Sequence, residues 1–390
     1  MTTESVLFAL LRSAVCEEAL SEKVVAACTP EMLSGVHSLA AKHDLAHLVG
    51  HALENTGVAQ CAAWEKCKAA KTRAIYRYMR QDYAYSRICG VLEQAQIPFI
   101  PLKGAVLRRL YPEPWMRTSC DLDILVRPED MERGAYTLET SLSCEKGQRG
   151  THDVALRTPD GVCVELHFDL VEEGRANAAK DVLCEVWQAA LLRRAWNYQY
   201  ELPDAYWYFY HIAHMAKHFE VGGCGIRSLI DLWLLENKVM GDTVQRNALL
   251  EKAGLLPFAQ AVSKLSRVWM ECEDPDQLSC RLGKFILEGG TLGSASNRVA
   301  LNQKAKGGKG AYLFSRIIIP YDKLKRYYPI LEKYPCLLPI MQVKRWFMLL
   351  RPHVAHMAKR ELETNMRLTQ QDANEIGQLL EDIGIGKSSW

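Results

Sequence analysis

Two aspartates separated by one apolar residue, Asp121 and Asp123, stand inside the run DLDILV at residues 121–126. In an extended chain alternate residues share a face, so the two carboxylates project together while Leu122, Ile124 and Val126 take the opposite, core-facing side. Carboxylates held side by side repel one another and are costly to keep near a core without a cation. A divalent metal such as Mg²⁺ answers that need, because it takes one or two carboxylates together with substrate phosphates. The spacing therefore points to metal-dependent phosphoryl or nucleotidyl transfer. Further along, Cys163, Glu165, His167 and Asp169 alternate with Val162, Val164, Leu166, Phe168 and Leu170. Were that strand a neighbour of the first, Glu165 and His167 would stand beside the paired aspartates.

The elements that must position these residues can be read from period and punctuation. Residues 1–92 are helical in pattern, with Val6, Leu7, Leu10 and Leu11 and then Ile75, Tyr78, Met79, Tyr83 and Ile88 at helical spacing, interrupted at Thr29-Pro30 and Asn55-Thr56-Gly57. From Gln96 the period changes. Ile97 to Leu102 reads as a short buried strand, Gly104 opens a helix through Tyr111, and Pro128-Glu129-Asp130 starts another helix after the aspartate strand. Val154–Arg157 and Val162–Leu170 form a hairpin about Pro159-Asp160-Gly161. After residue 176 the pattern returns to helix, notably over Tyr206–Phe219 and Ile226–Leu235. The Gly-, Ser- and Lys-rich stretch near 288–310 is expected to be a mobile loop, whose Lys304, Lys306 and Lys309 would suit a lid over phosphates. Tyr312–Pro352 is aromatic-rich and proline-interrupted, so short broken helices are expected there.

Bulk composition sets the frame. A chain of 390 residues is long for one core, so two or three packed units are expected. Lys plus Arg is 48 against 46 for Asp plus Glu, a balance that disfavours nucleic acid as the main partner. The 13 cysteines are scattered without a Cys-x-x-Cys pair, which argues against a disulfide framework and a zinc knuckle. The N-terminus lacks the basic start of a secretory signal, and no apolar run reaches the roughly 18 residues that span a bilayer. A cytoplasmic protein with no membrane partner is expected.

Several other residues admit two readings each. His211, His214 and His218 fall at i, i+3 and i+7 on one side of a helix, spacing that can hold a transition metal or simply face a core with hydrogen bonds to neighbours such as Asp231. Arg117 can clamp phosphate or pair with Asp121 or Asp123. Lys103 can meet phosphate or sit solvated at a strand end, and His152 precedes the hairpin with a weaker claim to the site. The string KHD at Lys42–Asp44 resembles a metal-phosphohydrolase cue without its partner motifs. Gly384-Ile385-Gly386-Lys387-Ser388 imitates the end of a phosphate-binding loop, but Glu381 occupies the required first glycine position.

The combination K-G-x-x-L-x-x-x-Y-P (Lys103–Pro112), R-x-x-x-D-x-D-x-L-V-x-P-x-D (Arg117–Asp130) and V-E-L-H (Val164–His167) resembles the uncharacterised bacterial nucleotidyltransferase family of the DNA polymerase β-like superfamily. The likeness continues into H-x-x-x-H and R-x-L-x-D-L, at His214, His218, Arg227 and Asp231. It implies an α/β (α+β) fold: a small mixed-sheet palm at residues 93–175, flanked by helical regions at 1–92 and 176–390. It further implies that Asp121, Asp123 and Glu165 hold Mg²⁺ (or Mn²⁺) and are catalytic; Lys103, Gly104 and Arg117 are expected on the nucleotide, Lys103 as a point charge on phosphate and Gly104 by opening the helix N-terminus. His167, His214, His218 and Asp231 would line the substrate cleft. The reaction implied is transfer of an NMP group from an NTP to an acceptor hydroxyl with release of pyrophosphate, a small molecule or peptide being favoured over RNA; γ-phosphoryl transfer would use the same site. Oligomeric state, acceptor and base preference stay open. The superfamily carries Gly-Ser where this chain has Lys103-Gly104, and that departure supports the alternative of a nonenzymatic nucleotide-binding or regulatory protein with a degenerate palm.

Overall fold

Five strands, β1 (Phe99–Pro101), β2 (Asp121–Val126), β3 (Glu145–Arg149), β4 (Asp153–Arg157) and β5 (Cys163–His167), form one sheet in the order β1-β2-β5-β4-β3. This computed structural model describes residues 1–54, 56–171, 178–239, 241–349 and 351–385. Asn55 of the interrupted N-terminal pattern, the 175/176 boundary and Gly386–Ser388 of the phosphate-loop imitation lie outside the described residues. β2 and β5 run parallel, with Asp123 opposite Glu165 and Leu125 opposite His167; the other pairs are antiparallel. Parallel neighbours need a crossover, supplied here by the helix Met131–Leu142 and the strands β3 and β4.

The hairpin stands where the turn residues place it. Gly161 takes φ 77°, and the Thr158 hydroxyl accepts from Val162 N at 3.0 Å, closing the loop. β5 stops at His167, so Phe168 and Leu170 lie past the strand. The strand at 97–102 is three residues long, and the helix from Gly104 ends at Leu107 before a 3₁₀ turn over Arg108–Leu110. β3 carries EKGQR, exposed throughout, and no alternation announced it.

One sheet face is apolar. Leu122, Ile124, Val126, Val154, Val164 and Leu166 pack with Leu138 and with Ile88 and Leu92 of the long helix Ala62–Gln94. The opposite face turns Asp123, Glu165 and His167 towards the helices Asp204–Glu220 and Ile226–Lys238. A second core joins the two ends of the chain: Leu7 and Leu10 share it with Ile230, Phe258, Trp269 and Leu380. Phe8 stacks on Trp269 at 4.6 Å, and Arg12 donates to Trp269 O at 2.8 Å. The N- and C-terminal helical regions are thus halves of one packed body.

Two expectations need correction. The return to helix after residue 176 is interrupted by a hairpin of β6 (Leu191–Leu192) and β7 (Tyr200–Glu201), which meets the palm edge through Phe99 N on Tyr198 O at 2.9 Å. Strands of two residues leave no periodicity to read. The stretch near 288–310 is not one loop: Ser294 caps a helix Ala295–Lys306, which stops at Gly307 with φ 85°. Of its lysines, Lys304 is tied to Glu381 at 2.6 Å and Lys309 to Met366 O at 3.0 Å, and neither these nor Lys306 line the cavity beside the paired aspartates. The glycines that suggested a loop mark the helix end instead. Short broken helices do occupy residues 309–349. No helix among the described residues is long and apolar enough to cross a membrane, and all thirteen cysteines are free thiols.

Candidate active site

The parallel register of β2 and β5 brings the predicted carboxylates together in a cavity of about 660 Å³. Ligand atoms of Asp123, Glu165 and His167 all lie within 4.8 Å of one another. Asp121 stands outside that tight set but lines the same cavity. His167, rather than Asp121, therefore completes the closest metal-capable group, because it lies two residues beyond Glu165 on the same strand face.

Charge is arranged around Asp123. Lys103 Nζ donates to Asp123 Oδ1 at 3.0 Å, and His167 Nε2 lies 2.9 Å from the same oxygen and 3.4 Å from Glu165 Oε2. Burial opposes a charged Asp123, but Lys103 and His167 outweigh it and hold this carboxyl well below the usual range. Burial also opposes protonation of His167, yet its bonds to Asp123 and Glu165 raise its pKa. Asp121 shifts the other way: burial first, then the neighbouring charges of Asp123 and Glu165, push its carboxyl up. A cluster with one carboxylate neutralised by Lys103 and another pushed towards protonation is short of positive charge.

The Lys103-Gly104 turn is built under constraint. Lys103 takes φ 42°, ψ −112°, a region that favours glycine. Leu102 N donates to Asp123 O at 2.9 Å, which pins the turn to β2. A Cβ on Gly104 would stand 3.0 Å from both Arg117 Nη1 and Ser119 Oγ, so any side chain there would have to push these groups aside. Beneath it, buried Arg108 donates to Gly104 O at 2.8 Å and to Gln81 Oε1 at 3.1 Å, and Gln81 Nε2 donates to Ser119 O at 3.0 Å. This network fixes the approach to β2. Gln81 and Arg108 were not singled out in the sequence, where Arg108 sits unmarked inside the Lys103–Pro112 block.

Arg117 meets neither Asp121 nor Asp123. Its guanidinium grips Asp231 with two bonds of 2.9 Å, and Tyr111 donates to Asp231 Oδ1 at 2.8 Å. Burial opposes both charges of the pair, but each partner stabilises the other, lowering the Asp231 pKa and raising that of Arg117. Tyr111, Arg117 and Asp231, from three of the motif blocks, thereby form one joint between the palm and the Ile226–Lys238 helix. Arg227 extends the joint, donating to Thr118 O at 2.8 Å, while Thr118 Oγ1 donates to Asp44 at 2.7 Å. His43 is buried, accepts from Ile226 N at 3.4 Å, and is pushed down to about 4 by burial. The Lys42–Asp44 string is therefore structural on its histidine.

The three helix histidines separate. His211 Nε2 lies 2.9 Å from Ser228 O, whereas His214 and His218 face each other with Nε2 atoms 3.0 Å apart. Burial and then Lys103 push the His214 pKa down. All three histidines line the cavity, as does Tyr210, which the sequence reading missed. Its hydroxyl is raised to about 12, by burial chiefly, with Lys103, Asp123 and Glu165 as the charges it feels. Asp44, Arg77, Lys217 and His152 also line the cavity, and the His152 ring centroid is 5.6 Å from that of His167.

Two acidic strands, a basic turn and a wall of titratable helix side chains surround one cavity, and the acidic cluster is compatible with a bound metal ion. Comparison with curated proteins and with solved structures gives no match. Residues 33–271, more than half of the chain and including every site residue named above, match a family described as uncharacterised nucleotidyltransferase. The chain belongs to that nucleotidyltransferase family.

Proposed function

We propose that this protein transfers an NMP group from an NTP to an acceptor hydroxyl, releasing pyrophosphate, and that residues 93–175 act as its palm. The observation that carries the reading is the clustering of Asp123, Glu165 and His167 beside Asp121, within a family of nucleotidyltransferases. The donor set fits a hard divalent cation, since three carboxylates line one cavity and burial, then the charges of Asp123 and Glu165, push Asp121 towards protonation. Asp121, Asp123 and Glu165 would hold Mg²⁺ or Mn²⁺, which supplies charge for the triphosphate and acidifies the attacking hydroxyl.

The remaining roles belong to the chain. Lys103, paired with Asp123, can pass its amine to phosphate oxygens as a point charge once the carboxylates turn to the metal. His167 orients Asp123 and Glu165. The acceptor oxygen bonds to the α-phosphorus, the bond from that phosphorus to the bridging oxygen breaks, and pyrophosphate departs. The hydroxyl proton goes to the carboxylate cluster. Tyr210, His214 and His218 form the facing wall, against which an acceptor would lie.

A second reading has its own support. Lys103 occupies a backbone conformation suited to glycine and already neutralises Asp123, as a nonenzymatic nucleotide-binding protein could afford. Incubation with NTP labelled at the α- or the γ-phosphate, Mg²⁺ or Mn²⁺ and fractionated small molecules and peptides separates the cases. Transfer of α-label with pyrophosphate release supports nucleotidyl transfer. Transfer of γ-label alone would establish phosphoryl transfer, and nucleotide binding without either would establish the nonenzymatic reading.

A further inference from the structure

Between Lys309 and Arg367 the surface is unusually apolar. Phe314 is 63 % exposed, Tyr327 72 %, Ile340 58 % and Phe347 68 %, whereas soluble monomers rarely expose large contiguous apolar patches. The side chains are grouped. Ile340, Val343 and Phe347 fall at i, i+3 and i+7, on one face of the helix Leu338–Leu349. Trp346 of that helix donates to Ile317 O at 2.9 Å, which joins it to the end of the helix Lys309–Ile317, where Phe314 and Ile317 are also exposed.

Charge gathers in the same stretch. Residues 309–367 hold twelve Lys and Arg against four Asp and Glu, a local +8. The whole chain carries +2, so the other residues carry −6. Three of the four acids already pair within the stretch: Asp322 with Lys325, Glu361 with Arg316 and Glu363 with Lys359. The stretch lies beyond the matched residues 33–271, and no described residue after Leu292 lines the acidic cavity.

We infer that residues 309–367 dock on the surface of an anionic phospholipid bilayer. Phe314, Ile317, Ile340 and Phe347 enter the boundary between headgroups and acyl chains, and the surrounding Lys and Arg meet lipid phosphates. The helices here are too short to span and suit lying along the surface. A second copy would set +8 against +8. Single-stranded nucleic acid would use the charge and the aromatic rings but gain little from Ile340, Val343 and Ile317. The expectation of no membrane partner came from the lack of an apolar run long enough to span a bilayer, a test that does not bear on docking at the surface.

Flotation of the full-length protein with phosphatidylcholine vesicles, with and without phosphatidylglycerol, tests the inference. Expected is salt-sensitive flotation only with phosphatidylglycerol, reduced at least about tenfold in Phe314→Glu/Phe347→Glu and in Lys323→Glu/Lys344→Glu at unchanged melting temperature. Amide exchange gives a readout without substitution: residues 309–349 of the wild type should be protected on adding those vesicles. Absence of flotation, equal flotation on both vesicle types, undiminished flotation of correctly folded variants, or protection elsewhere alone would overturn it. So would a stable dimer that Phe347→Glu dissociates, which would make a second copy the occupant.

Discussion

At the scale of single residues, Asp123 is the centre of the site because two nitrogens already converge on one of its oxygens, Lys103 Nζ at 3.0 Å and His167 Nε2 at 2.9 Å. His167 acts through the carboxylates it touches, so His167→Gln should lower metal affinity or turnover about 10–100-fold; equilibrium metal titration measures it, and wild-type affinity would remove His167 from the site. Lys103 allows a sharper comparison. Both Lys103→Ala and Lys103→Gly delete the amine, but only glycine relieves the positive φ, so the glycine variant should be the more stable by about 1–2 kcal/mol in urea unfolding. The reverse order would show that the turn relaxes around alanine. Asp121, Asp123, Glu165 and His167 were legible because strand alternation assigns faces from sequence alone. Tyr210 was not, since its apolar ring hides a site residue within an aromatic helix.

Single elements are joined by the buried contact of Arg117 and Tyr111 with Asp231, which clamps the turn before β2 to the Ile226–Lys238 helix. Removing one charge leaves the other buried without its partner, so Arg117→Ala should cost about 3–5 kcal/mol, while Arg117→Met/Asp231→Leu should recover part of that loss. A loss below about 1 kcal/mol for the single variant would mean that the joint bears little of the stability. The pH dependence has a definite sign. Because the folded pKa of Asp231 lies below the ordinary 3.8, its contribution is present above that pH and is lost as pH falls through the lower folded value. Asp231→Asn should therefore show a shallower loss of stability below pH 3.8 than wild type, in melts at successive pH values. The sequence offered Arg117 two partners in the wrong place. A contact across 114 positions has no local signature. The same limit explains the missed β6–β7 hairpin, and the helix Ala295–Lys306 was misread because its terminal glycines look like loop residues until Ser294 is seen as a cap.

Over the whole molecule, the palm rests in a helical body whose core is drawn from both ends of the chain. Alternating β pattern and helical period revealed the strands and the helical flanks, and the family resemblance implied the mixed sheet, but neither showed that the flanks share a core, because pairing between distant helices depends on shape rather than period. Trp269→Ala, which empties the stack against Phe8, should cost about 3–5 kcal/mol and destabilise N- and C-terminal helices together. Amide exchange in denaturant follows both, and N-terminal helices that stay protected while the C-terminal ones open would contradict a shared core. Ligand binding to such a body is read in its melting. The most direct measurement is the melting temperature with and without NTP and Mg²⁺, for wild type and for Asp121→Asn/Asp123→Asn, each referred to its own ligand-free state. A wild-type rise that needs both ligands, equivalent to about 2.7 kcal/mol at a hundredfold excess over Kd and absent in the variant, is the expected result. A rise that is independent of metal and survives in the variant, or no rise in either protein, would contradict a metal-nucleotide site on the palm.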